Sequence, residues 1–236
     1  MITDPSEAGY VGAINTKTYN SHLHILEALA QLFRETSDPL VAKRLDELIS
    51  INMNTVKHPE YPCNIDGWYP NWKMIESERN LRASYGHDVE CAWLVLDAVD
   101  ALGDKFSDRE SVESWAKTIT DFAIKYGFDE NHGGFYSSGE PAEDSDDRRK
   151  IWWVQSEALV AMLTLHKLTG ESRYRDIFGK CYTFTMKNHI APAGGWWDTL
   201  EVDGSVGEKK TRTSMWQGAY HNGRALLMCA KLLKSN

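Results

Sequence analysis

His87 and Glu90 stand three residues apart in the stretch Ser84-Tyr85-Gly86-His87-Asp88-Val89-Glu90-Cys91-Ala92-Trp93. On a helix that spacing puts both side chains on one face. Ser84 suits the N-cap of such a helix, and the apolar run after it predicts a helix ending near Gly103. An imidazole and a carboxylate pointing together from a helix start suit proton transfer. The ordinary imidazole pKa of about 6.5 makes both protonation states accessible near neutral pH.

The same arrangement recurs along the chain. Glu27-Ala28-Leu29, Glu90-Cys91-Ala92, Glu157-Ala158-Leu159 and Arg224-Ala225-Leu226 follow one another, and three residues before them stand His24, His87, Val154 and His221. The loop glycines Gly67, Gly134 and Gly195 keep a matching step, so the period is roughly 65 residues. The unit is a helical hairpin plus an aromatic-bearing loop, and each unit must pack on its neighbours to bury its face. Equivalent helix starts then point the same way, which brings His24, His87 and His221 round one cavity. Any one of them alone reads better as a helix-start histidine bonded to a backbone carbonyl; three in register read as a functional cluster. His22, His58, His132, His166 and His189 lack that equivalence and read as ordinary structural histidines.

Two imidazoles on opposite sides of one carbon can take a proton from one face and return it to the other, an epimerisation. One imidazole serving two neighbouring carbons gives an aldose–ketose isomerisation instead. Glu27, Glu90 and Glu157 are placed to bond histidines or hydroxyls. Acids near a helix N-terminus are favoured in any case, and that plain reading is preferred for Glu27. Two His-x-x-Glu pairs resemble, in reverse order, the Glu-x-x-His elements of di-iron bundles. Further bridging carboxylates at matching positions are not apparent, so no metal is expected. Cys91 and Cys229 lie inside apolar helices, a poor setting for a nucleophile.

The elements that must carry these residues are predicted as helices over 20–35, 39–56, 84–103, 108–126, 151–168, 172–188 and 214–233, from apolar spacing and the positions of Pro and Gly. Seven helices make three and a half hairpins. The fold class expected is all-α: an α/α toroid of the (α/α)6 barrel type, incomplete, with every second helix inside. Residues 1–236 are expected to form one domain, with 1–18 an irregular lead-in. The loops are long and hold Gly67-Trp68-Tyr69-Pro70, Gly133-Gly134-Phe135-Tyr136 and Gly194-Gly195-Trp196-Trp197, which predict short β-hairpins. The acidic run 140–147 reads as a solvated loop.

Composition bounds the partners. The 236 residues are 42% hydrophobic and 25% charged, ordinary for a globular chain. A net charge of -8 argues against nucleic acid and anionic membranes. Four scattered cysteines with no paired spacing fit reduced thiols in a cytoplasm. The polar start has no signal core, and no run is long enough to span a bilayer. Nine Trp and ten Tyr exceed what a core of this size needs and suggest a flat, hydroxylated ligand such as a sugar.

Four motifs together resemble the cellobiose 2-epimerases of the N-acylglucosamine 2-epimerase superfamily: Ser84-Tyr85-Gly86-His87-Asp88-Val89-Glu90, Trp152-Trp153-Val154-Gln155-Ser156-Glu157-Ala158, Gly194-Gly195-Trp196-Trp197 and Trp216-Gln217-Gly218-Ala219-Tyr220-His221. Asn20-Ser21-His22-Leu23-His24 is similar to that family's earlier histidine motif. The resemblance implies an (α/α)6 barrel without metal or redox cofactor, converting cellobiose to glucosyl-mannose. It implies His87 and His221 as the acid/base pair at C2 through an enediolate, with His24 assisting ring opening. It implies that Glu90 orients His87 or binds a hydroxyl, that Asn20 binds substrate, that Trp153 and Trp216 pack on the reducing-end sugar, and that Trp197 packs on the second. The front half of that barrel has no counterpart in this chain. Either the chain is a fragment or a wrongly started gene product, or a partner chain supplies the missing half-barrel; the short chain alone is expected to be weakly active or inactive and to self-associate. A mannose-isomerase activity, a non-catalytic carbohydrate-binding remnant and an inverting glycosidase with two placed carboxylates are the alternatives.

Overall fold

In the computed structural model, residues 14–207 and 210–234 are described. The long helices are α1 (Tyr19–Thr36), α2 (Pro39–Ser50), α4 (Tyr85–Leu102), α5 (Arg109–Gly127), α6 (Trp152–Thr169), α7 (Ser172–Asn188) and α8 (His221–Lys234); α3 (Glu78–Leu81) is a single turn. The inner row runs α1, α4, α6, α8, each packed on the next, while α2, α5 and α7 lie outside on α1, α4 and α6. This is the expected alternation of an α/α barrel over three and a half hairpins. α4 and α6 are buried on nearly every side, so they carry no polar stripe. Their apolar faces meet outer helices and inner neighbours at once.

Capping explains where the helices begin. Thr18 accepts the Ser21 N–H at the start of α1, and Asp38 accepts from Leu40 and Val41 ahead of Pro39 in α2. α2 does not run on to Val56 as an α-helix. A π-helical segment, Ile51–Thr55, replaces its last turn.

The loops hold the expected short β-structure, with small bridges such as Phe128–Phe135 and Ile190–Trp196. Gly133 and Gly134, and equally Gly194 and Gly195, have positive φ, which an L side chain resists and glycine does not. Three further antiparallel pairs each join the two ends of one unit. β1 (Lys17–Thr18) pairs with β2 (Gly67–Trp68), β3 (Ala83–Ser84) with β4 (Ser138–Gly139), and β5 (Lys150–Ile151) with β6 (Thr199–Leu200). Each clasp ties the residues just before an inner helix to the loop after the next outer one, which fixes the direction of the helix start. Part of the lead-in expected over 1–18 lies outside the described residues; its end is strand β1 rather than irregular. At the start of α6 the fully buried Lys150 reaches Asp129 Oδ2 at 2.7 Å and the Gly133 carbonyl at 2.6 Å, pinning the Gly133 turn beneath the helix.

Among the described residues no helix is long and apolar enough to cross a membrane. The four cysteines are free and buried. Burial holds the Cys91 thiol protonated, far above the ordinary thiol pKa.

Candidate active site

The starts of α1, α4, α6 and α8 surround a hollow of about 780 Å³. His24, His87 and His221 all line it, together with Asn20, Trp153 and Trp216. The repeat therefore does place the three imidazoles on one cavity. The other five histidines each turn to a local partner; His22 Nδ1, for example, lies 2.7 Å from the Thr18 carbonyl, and His189 Nδ1 lies 2.9 Å from that of Trp197.

Trp153 forms one wall between two of the rings. Its ring centroid is 4.7 Å from that of His87 and 5.6 Å from that of His221. Gly86 permits this approach, because a Cβ there would stand 2.7 Å from the Trp153 ring. Ser84 begins α4 as expected, but its side chain caps no backbone N–H. Its hydroxyl instead meets His87 Nδ1 at 2.9 Å. Enclosure of the His87 ring, with His24 and His221 near it, lowers its pKa to about 4, so it stays neutral at working pH.

His221 is held differently. Its Nδ1 donates to Glu157 Oε1 at 2.6 Å, which fixes the ring orientation and leaves Nε2 without that partner. Glu157 is fully buried, accepts the Trp93 indole N–H at 2.9 Å, and accepts Arg224 Nη2 at 2.8 Å. Arg224 also lies 3.2 Å from Glu90 and bonds Glu27. Glu27 in turn accepts the Tyr220 hydroxyl, whose oxygen lies 2.9 Å from His24 Nδ1. The four residues at equivalent repeat positions, Glu27, Glu90, Glu157 and Arg224, thus meet as three acids on one guanidinium.

The charges follow from that geometry. Burial alone would raise the Glu27 pKa, but bonds from His24 and Tyr220 and the charge of Arg224 outweigh it and bring it down to about 2. Burial, reinforced by the Glu157 charge, pushes the Glu90 pKa well above its ordinary carboxylate value. Burial opposes the Arg224 charge, yet Glu157 and Glu27 more than offset it.

Three expectations need amending. Glu90 does not orient His87; Ser84 holds that ring, and Glu90 faces Arg224 and, at 3.9 Å, His221. Trp197 is not in the lining of the hollow; its ring carries the Arg212 guanidinium at 5.6 Å. Glu27 is not merely a helix-start acid but ties α1 to α8 through Arg224 and Tyr220. Sequence reasoning missed Tyr220 and Arg224 as site residues. Arg224 was nonetheless visible as the odd member of the Glu-Glu-Glu-Arg repeat position. The carboxylates that a metal reading lacked do converge, and ligand atoms of Glu90, Glu157 and His221 lie within 4.8 Å of one another. Arg224 already sits on both acids, so a cation placed there would face a guanidinium.

The comparisons with known proteins agree with the fold. A profile of the N-acylglucosamine 2-epimerase family matches residues 7–225. The chain belongs to that family. It is 30% identical over 224 residues to a cellobiose 2-epimerase of Bacteroides fragilis, covering 92% of this chain and 53% of that protein. It is 25% identical over 232 residues to a D-mannose isomerase of Marinomonas mediterranea, covering 92% of this chain and 55% of the relative. The solved structure of a cellobiose 2-epimerase from Spirochaeta thermophila superposes with a TM-score of 0.82 at 30% identity, over 93% of this chain and 53% of the other. As a member of the 2-epimerase family this chain spans about half the length of the curated relatives it matches, and what it carries is part of an α/α barrel.

Proposed function

We propose that this chain forms the acid/base half of a sugar 2-epimerase that acts on the reducing-end unit of a β-1,4-disaccharide of the cellobiose type. The observation that carries this reading is the pair His87 and His221 standing against the single ring of Trp153. A sugar stacked near that indole would have an imidazole on either side of C2. In the open-chain aldehyde, one imidazole takes the C2 proton and the electron pair passes into an enediolate. The other imidazole then returns a proton to the opposite face, so the atoms balance without an oxidant. His221, backed by Glu157, is suited to carry positive charge, and the neutral His87 is suited to act as the base. His24 can accept the C1 hydroxyl proton during ring opening, because with Nδ1 turned to Tyr220 its Nε2 keeps the lone pair. Asn20, Trp153 and Trp216 would hold the reducing-end ring. Arg224 supplies the positive charge of the buried cluster, and the proposed reaction needs no metal or cofactor.

The likeness to a D-mannose isomerase favours a second reading, proton transfer from C2 to C1 to give a ketose. Incubation with cellobiose in heavy water tests both. Epimerisation puts deuterium on C2 and yields glucosyl-mannose; a ketose product supports isomerisation instead; sugar that remains unexchanged and unconverted refutes both readings. We also infer that further helices complete the ring. Ile25 on α1 is 50% exposed and Leu227 on α8 is 75% exposed, at the two ends of the inner row.

A further inference from the structure

We propose that Asn222 is a self-modifying site: its amide is lost through a cyclic imide with Gly223, leaving aspartate or isoaspartate beside His221, and the isoaspartate displaces that ring. The sequence supplies the chemistry. Asn222 is the one asparagine in the chain followed by glycine, which has no side chain to hinder attack by its backbone nitrogen. That nitrogen bonds to Asn222 Cγ, the bond from Cγ to the amide nitrogen breaks, and ammonia leaves with the displaced proton. Water then opens the imide at either carbonyl. Opening at one carbonyl restores the chain with an aspartate side chain. Opening at the other leaves isoaspartate, with the chain running through the side-chain carboxyl. Nothing is oxidised or reduced, and water is the co-reactant.

The fold brings the two groups together. α8 begins at His221, so Gly223 stands in its first turn, where a backbone N–H has no helical carbonyl one turn back to hold it. The Gly223 N–H donates instead to Asn222 Oδ1 at 2.8 Å. With a C=O bond of about 1.2 Å, the nitrogen stands no more than about 4 Å from Cγ. The negative charge that develops in the attack forms at a helix N-terminus, which favours it. Asn222 is half-buried and lines a cavity of about 270 Å³ together with Arg212, so water reaches the imide. Isoaspartate then puts an extra carbon into the backbone directly after His221. The 2.6 Å bond from His221 to Glu157 and its ring contact with Trp153 both depend on that backbone. Only the consequence for activity rests on the epimerase reading above.

Ageing the chain for days at pH 8.5 and 37 °C, with mass spectrometry of the tryptic peptide 213–224, tests this. The peptide is expected to exchange its amide NH2 for OH and to separate into two products on chromatography, while peptides carrying the other asparagines stay unchanged. Its rate is expected to fall no more than about tenfold below that of the excised peptide, because a helix end opens at little cost. The NMR resonances of the His221 ring are expected to shift in the aged chain and to stay in place in Asn222→Gln aged alongside. Deuterium incorporation at C2 of cellobiose should fall in proportion to the isoaspartate formed, and Asn222→Gln should lose none. A folded chain that stays unmodified while the excised peptide converts overturns the proposal. So does a modified chain whose His221 resonances have not moved. A fresh chain that exchanges no deuterium refutes the epimerase reading alone, since the mass and the His221 resonances still decide the modification.

Discussion

Replacing Arg224 by methionine removes the guanidinium that three carboxylates share, while keeping most of the side-chain volume. Its Nη2 lies 2.8 Å from Glu157 Oε1 and 3.2 Å from Glu90 Oε1, and Nη1 bonds Glu27. Burial already favours the neutral form of Glu90, so the loss falls mainly on Glu27 and Glu157. Stripping one partner from a buried ion pair costs about 3–5 kcal/mol. At about 2–4 °C per kcal/mol for a chain of this size, the melting temperature should fall by roughly 6–20 °C. The sign of the pH dependence follows from Glu27. In the wild type its lowered pKa contributes stability that is present above the ordinary carboxylate value and lost as the pH falls towards about 2. Without Arg224 that contribution shrinks and acid relieves the unpaired charge, so the gap between variant and wild type should narrow between pH 7 and pH 5. Circular dichroism melts at the two pH values measure this, and Glu157→Gln in the Arg224→Met background should recover part of the loss. A change below about 2 °C at pH 7, or a gap that widens on acidification, refutes the account of the cluster.

Asparagine at His87 or at His221 should each lower deuterium incorporation at C2 by at least about 100-fold, read by NMR in heavy water with folding checked by circular dichroism. Because His87 is held neutral with a pKa of about 4, it contributes stability that is fully present above about pH 6.5 and lost as the pH falls towards 4. Urea denaturation at pH 7 and at pH 4.5 should therefore show a smaller acid loss in His87→Asn than in the wild type. Gly86→Ala would bring a methyl within 2.7 Å of the Trp153 ring and of Val154 Cγ2, and should cost about 1–3 kcal/mol and shift the tryptophan emission.

Much of the architecture was legible in the chain because it is periodic. Apolar spacing, the proline at Pro39 and the glycines at Gly103 and Gly170 delimit helices that fold where they were predicted. The start of α8 was not legible in this way. Residues 214–220 carry apolar Met215 and Trp216 at helical spacing, but these side chains face the hollow and not a helical neighbour, and the chain turns at Gly218 before the helix begins at His221. A pattern produced by ligand-facing aromatics mimics one produced by core packing. Trp197 shows the converse: adjacent to Trp196 in one motif, it points elsewhere because successive side chains in an extended loop alternate.

By itself the sequence determined that helix starts recur in register and that His24, His87 and His221 share that register. From those two facts the common hollow follows, since equivalent positions in stacked units face one axis. Which groups hold which was decided only by the folded chain. His221 finds its carboxylate on α6 and not on its own helix, His87 finds a hydroxyl in place of the acid three residues on, and Arg224 closes a cluster from residues about 67 and 134 positions away. Spacing along one helix sets which side chains share a face. Contacts across the axis depend on the tilt and rotation of the neighbouring helix, and those are set by packing and by the β clasps.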